Sequence, residues 1–153
     1  MTDEFAHRTT LQVRFRDIDA FGHVNNAVFF SYVEQARIRY LLDVLGPSEP
    51  FDRLPLILAR VELDFRSPIY FGDDVTVATR VDRIGRSSIG MSHRMTAGAE
   101  GRLVGDVGTV LVTYDYATSV PIPVPDGWRS RFADHEGRAL EPDEPRRAAA
   151  AAG

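Results

Sequence analysis

The chain has 153 residues, of which 44% are hydrophobic and 26% charged, with a net charge of −4. This length fits one domain with a real core, and the acidic balance excludes the overall basic footprint that draws a protein to nucleic acid. All 18 basic residues are Arg and there is no Cys, which excludes Schiff-base lysines, disulfides, thiolate catalysis and Cys-ligated zinc. The opening residues (Met1 to His7) lack a signal pattern and no apolar stretch is long enough to span a membrane, so a cytoplasmic enzyme is expected.

In chain order, Leu11, Val13 and Phe15 alternate with Gln12, Arg14 and Arg16, the period of a half-buried strand. Residues 27–45 change period. Phe29, Val33, Ala36, Tyr40 and Val44 recur at helical spacing, and Phe30, Leu41 and Leu45 add a second apolar stripe. A helix apolar over most of its circumference is expected to be largely buried. Gly46-Pro47 supplies the stop.

Everything downstream reads as strand. Ala59, Val61, Leu63 and Phe65 alternate with charged residues, and Ser67-Pro68 breaks the run. Gly72-Asp73-Asp74 turns into Val75, Val77, Thr79 and Val81; Gly85-Arg86 turns into Ile89, Met91, His93 and Met95; Gly98 to Gly101 turns into Leu103–Tyr116. Gaps this short suit antiparallel hairpins and are too short for parallel crossovers. The expected class is α+β, a five-stranded antiparallel sheet with one long helix. Pro121, Pro123 and Pro125 form an extended exit, and Trp128 to Phe132 form a short helix. Residues 1–135 are expected to be the domain. Residues 136–153, rich in Ala, Pro, Glu and Arg, are expected to be a disordered tail.

The chemistry concentrates between strand and helix, in Asp17-Ile18-Asp19-Ala20-Phe21-Gly22-His23-Val24-Asn25-Asn26. An Asp side chain, with an unperturbed pKa of about 3.9, is ionised at neutral pH and serves as base or nucleophile without further activation. The first turn of the following helix offers unpaired amides and the positive end of its dipole. Asp19 is the main candidate, with helix capping as the competing role; Asp17 is read as bracing the loop. A calcium loop fails, because its fifth and twelfth positions carry Phe21 and Val28 where oxygen ligands are required. No metal or cofactor is expected.

Val13 to Asp19, Gly22-His23-Val24-Asn25-Asn26 and Tyr32-Val33-Glu34-Gln35-Ala36-Arg37 together resemble the opening of a hotdog-fold acyl-CoA thioesterase of the 4-hydroxybenzoyl-CoA thioesterase-like group. Weaker similarity runs through Arg60 to Phe65, Ile69 to Asp73 and Gly85 to Ser88, covering residues 10–117. The resemblance implies a curved sheet around a central helix, and a homodimer or homotetramer with its site at the interface. It puts the essential Asp at Asp19.

Three roles are open to His23: activating water, orienting Asp19, or bonding the backbone. The related plant acyl-carrier-protein thioesterases carry a functional His here, but their Asn two residues earlier is Phe21 in this chain. Asn25 and Asn26 are the remaining amides, one for the thioester oxygen or water and one for the loop; Asn26 stands where bacterial relatives often have His. Backbone amides from Val24 to Ala27, counting Asn25, are expected to hold the oxyanion. Glu34 is read as structural, partnered by Arg37 or by a second subunit. Arg83, Arg86, Ser87 and Ser88 suit the phosphates of coenzyme A, and in the family this hairpin often acts from across a subunit interface.

The expectation is hydrolysis of an acyl-CoA thioester by Asp19 as nucleophile or general base. The rivals are hydrolysis of acyl-carrier-protein thioesters and a non-catalytic acyl-CoA-binding hotdog protein. His7, His93 and His135 are expected to serve only packing or the surface.

Overall fold

The computed structural model describes residues 4–47 and 50–141. Strand β1 (His7–Gln12) leads through a single 3-10 turn (Phe15–Asp17) to helix α1 (Asn26–Leu45), and β2 (Leu56–Phe65), β3 (Asp74–Ile84), β4 (Ser88–Ala97) and β5 (Arg102–Asp115) follow. All pair antiparallel in the order β1-β3-β4-β5-β2. The alternation in the sequence sets this sheet: Val75, Val77, Val81, Met91, Met95 and Leu111 are buried, while Arg80, Asp82, Arg94 and Asp106 on the opposite face pair with one another or with Glu4. The antiparallel hotdog architecture is therefore present as expected.

Helix α1 lies on the apolar face. It is less buried than its composition suggests. Phe29, Tyr32, Val33, Ala36, Tyr40, Leu41 and Leu45 are covered, but Asn26, Ala27, Ser31, Glu34 and Gln35 are exposed and Phe30 keeps 40% of its surface. Leu41 and Leu45 belong to the sheet-facing side, so the second stripe reduces to Phe30. One sheet covers one side of a cylinder. Gly46, with φ +80°, closes the helix with a conformation a side chain would resist.

Two apolar clusters fill the space under α1. One, at the helix start, gathers Val13, Val24, Phe29, Ile69, Val75 and Val104; the other, at its end, gathers Tyr40, Leu45, Ile84, Ile89, Trp128 and Phe132. A polar row crosses the sheet between them. His93, 1% exposed, bonds Thr79 Oγ1 through Nδ1 at 3.1 Å and Thr109 Oγ1 through Nε2 at 3.0 Å. Burial, and then the nearby Arg37 charge, hold its pKa down at about 3.

Past β5 the chain forms β6 (Val120–Pro121), paired with Tyr114 and Asp115, and then helix α2 (Asp126–Glu136), longer than the five residues expected. Trp128 and Phe132, four apart, bury into the second cluster. The packed unit reaches beyond residue 135. Glu136 accepts from the Tyr40 hydroxyl at 2.5 Å and from Val81 N at 3.0 Å, and Leu140 is 2% exposed with its carbonyl held by Ile84 N. Residues 142–153, the rest of the expected tail, lie outside the described residues.

Candidate active site

The loop between β1 and α1 is a miniature hairpin. Ile18 and Val24 form an isolated antiparallel bridge, Asp19 N donates to His23 O at 3.0 Å, and Gly22 N returns to Asp19 O at 3.1 Å. Gly22 sits at φ +86°, which a non-glycine residue adopts only with strain. Asp17 braces this hairpin, as its sequence position suggested. It is 8% exposed, and its Oδ2 accepts from Arg14 N at 2.9 Å and from the Tyr32 hydroxyl at 2.8 Å. Burial, and then this bond, raise the Tyr32 pKa, so the phenol stays a donor.

Asp19 is half-buried. Its Oδ1 accepts from Phe21 N at 2.9 Å, a turn bond, and Oδ2 takes no hydrogen bond among the described residues. The carboxylate does not cap α1; Asn25 does, its side-chain oxygen accepting from Ala27 N at 2.9 Å. His23 is half-buried, with Nδ1 donating to Val24 O at 3.3 Å, and Nε2 takes no hydrogen bond among the described residues. The Phe21 ring stacks on it at 6.3 Å.

Most of the amides at the helix start already have acceptors. Val24 N donates to Ile69 O, Asn25 N to Asp17 O, Ala27 N to the Asn25 cap and Val28 N to Asn25 O. Val24 is fully buried core. The amides of Val24, Asn25 and Ala27 are therefore committed to holding the loop. Among the described residues only Asn26 N, of these five, has no acceptor. Asn26 also lines a cavity of about 310 Å³ with His23, Phe29, Phe65 and Ser67. His23 and Asn26 are thus brought together at the helix start, beside the end of β2.

The basic hairpin is elsewhere. Gly85 N and Ser88 O close its turn, and Arg129 of α2 grips the Gly85 and Arg86 carbonyls, at the far end of β3 and roughly 30 Å from the loop. Ser87 and Ser88 are half-buried there, and the Ser87 carbonyl accepts from Thr113. One chain does not bring Arg83, Arg86, Ser87 or Ser88 to Asp19. Arg14 and Arg16 do lie beside the loop, lining a cavity of about 590 Å³ with Tyr32 and Gln35, and neither has an ion-pair partner among the described residues. The signal for them was in the sequence, as the polar positions of the alternation that runs up to Asp17, although β1 ends at Gln12 and Phe15 to Asp17 form a 3-10 turn that leaves Phe15 exposed. Among the described residues no group of three His, Cys, Asp or Glu is placed to hold a metal ion, and no helix is long and apolar enough to cross a membrane.

Residues 13–132 match the family model described as the thioesterase-like superfamily. The chain belongs to that superfamily. A crystal structure of a thioesterase from Thermus thermophilus, complexed with coenzyme A and Zn, is 40% identical and superposes with a TM-score of 0.81, covering 91% of this chain and 100% of that one. The long-chain acyl-CoA thioesterase FadM of Escherichia coli is 26% identical over 116 residues, 72% of this chain and 85% of that protein. The chloroplastic acyl-acyl carrier protein thioesterase ATL3 of Arabidopsis thaliana is 26% identical over 128 residues, 82% of this chain and 67% of that protein. The resemblance read from the loop and helix is borne out, and the chain is a hotdog-fold thioesterase.

Proposed function

We propose that this thioesterase hydrolyses acyl-CoA in the cytoplasm, with Asp19 as the reacting carboxylate. The observation that carries this is the Asp19 geometry. One oxygen is anchored by Phe21 N and the other is open, in the same short hairpin that brings His23 and Asn26 to the wall of a cavity.

As nucleophile, Asp19 Oδ2 bonds the thioester carbon and the C–S bond breaks, releasing thiolate and leaving a mixed anhydride. Water then cleaves the anhydride and restores the carboxylate. As base, Asp19 takes a proton from water while the hydroxide adds to the carbonyl, and the tetrahedral adduct expels the thiolate. In both routes Asn26 N–H, at the positive end of α1, faces the oxyanion; one such donor supplies on the order of 3 kcal/mol. The thiolate leaves without strong acid help, since an unperturbed cysteine-type thiol has a pKa of about 8.5.

The same reading makes the molecule a homodimer. Strand β2 is a sheet edge, and it exposes Ile57, Leu58 and Phe65, an arrangement that invites a further strand. Its Phe65 end adjoins the loop, through Phe29 at 5.0 Å. Its Leu56 end lies level with the hairpin, because Leu56 pairs with Thr113 and Ser88 with Val112. Two β2 edges paired antiparallel bring each Arg83–Ser88 hairpin toward the partner's loop, where Arg14 and Arg16 already stand. Four arginines then face the phosphates of one coenzyme A.

The likeness to a plant acyl-carrier-protein thioesterase supports a second reading, since a carrier protein is acidic and suits the same arginines. The test is thiol release from short, long and aromatic acyl groups, each presented on coenzyme A and on carrier protein. Faster release from coenzyme A is expected. Preference for the carrier adopts the second reading, and no release from either rejects both.

A further inference from the structure

Helix α1 buries a charge that its own chain leaves half-answered. Arg37 is 8% exposed, yet the nearest carboxylate oxygen, Glu34 Oε2, is 3.9 Å away, beyond hydrogen-bond reach. Burial lowers the Arg37 pKa and the Glu34 charge only opposes this. Glu34, one turn earlier, keeps 64% of its side-chain surface. A buried guanidinium without a hydrogen-bonded counter-ion is expensive, and an exposed carboxylate beside it is an unused one.

Arg37 stands on the flank of α1 that faces the β2 edge, and Glu34 approaches it from the exposed top of the helix, where it also lines the loop-side cavity with Arg14 and Arg16. Phe30, Arg37, Ile38 and Leu41 recur at helical spacing along that flank. Phe30 and Phe29 meet Phe65 at 6.5 Å and 5.0 Å, at one end of β2. Arg37, Ile38 and Leu41 share a cavity of about 200 Å³ with Leu56 and Leu58, at the other end. The middle of β2, between Arg60 and Val61, therefore runs beside the middle of α1, between Glu34 and Arg37. A twofold axis through the middle of β2 passes over this pair and sets the two helices antiparallel. In an isologous contact, if one residue meets a second, the second meets the first.

We propose that Glu34 and Arg37 pair reciprocally across that axis, Glu34 of each protomer against Arg37 of its partner, and so fix the register of the dimer. The proposal rests on the dimer of the preceding reading and not on its chemistry. The occupant of the β2-side cleft is a second copy of this chain, because the one charge in the cleft, Arg37, stands beside an exposed carboxylate of the same helix, Glu34, and the cleft is rimmed by the apolar residues of an unpaired edge.

The experiment uses two single variants, Glu34→Arg and Arg37→Glu, with light scattering over a dilution series and thermal melts to show that each is folded. Either variant alone sets like charges against each other, and each is expected to dimerise at least about tenfold more weakly than wild type. Mixed in equal amounts, they restore opposite charges between chains while both intrachain pairs stay broken. A one-to-one heterodimer of near wild-type affinity, identified by native mass spectrometry, is expected. If Arg37→Glu does not fold, Arg37→Gln replaces it, and the mixture is expected to associate more tightly than Glu34→Arg alone. Variants that dimerise like wild type, or a mixture no tighter than its parts, would overturn the ion pair and leave the dimer standing. A monomeric wild-type protein would overturn the dimer itself.

Discussion

At the scale of single residues, Asp17 and Asp19 divide structure from chemistry within three positions. Both are acids in one loop, but Asp17 is buried beneath Tyr32 with two donors on one oxygen, whereas Asp19 keeps Oδ2 open. Asp19→Asn retains the oxygen that Phe21 N needs and removes the charge. Its hydrolysis rate is expected to fall at least about a hundredfold, with a melting temperature near wild type. Asp17→Ala is expected to do the reverse, losing about 1–3 kcal/mol of stability by urea titration and retaining a measurable rate. A near wild-type rate for Asp19→Asn would sink the mechanism.

At the scale of the element, the polar row Thr79–His93–Thr109 sits under α1 where the sequence alternation suggested only core. Strand periodicity points His93 inward; that it would find two threonines depends on register, Thr79 facing it directly and Thr109 reached diagonally. Burial, and then the Arg37 charge, keep the ring neutral when folded, with its pKa depressed to about 3 from the 6.5 of an unperturbed imidazole. Between those values the unfolded chain binds a proton that the folded one refuses. The contribution of His93 to stability is therefore full above pH 6.5 and shrinks as the pH falls, by up to about 1.4 kcal/mol per pH unit. Urea titrations from pH 7 to pH 4 are expected to show this slope, and His93→Gln to flatten it whatever its effect at pH 7. An equally steep slope in the variant would contradict the assignment.

At the scale of the whole molecule, the C-terminal segment is part of the packed core as far as Leu140. Its side chain is 2% exposed and its carbonyl receives Ile84 N. Burying a leucine is worth about 1.5–3 kcal/mol. Ending the chain after Gly137 is expected to lower the melting temperature by roughly 5 °C or more, while ending it after Glu141 leaves both melting temperature and rate unchanged. Calorimetry on the two truncations checks this, and equal melting temperatures would show that Leu140 contributes nothing.

The sequence by itself determined the antiparallel sheet, the long helix and the reactive loop of this protein, because those rest on local physics. Period-two alternation, short glycine turns and a helix stop at Gly46-Pro47 define an antiparallel sheet with one long helix. Asp19, His23 and Asn26 stand close because they stand close in the chain. Tertiary structure decided what distance in sequence conceals. Only packing showed that Val24, Asn25 and Ala27 spend their amides on Ile69, Asp17 and the cap, leaving Asn26 open. Only the strand order separated the Arg86 hairpin from the loop by the length of a sheet, and left β2 as an edge. Which member of the Glu34–Arg37 pair is buried was likewise undecided by a spacing of three residues, since it depends on which flank of the helix the sheet happens to cover.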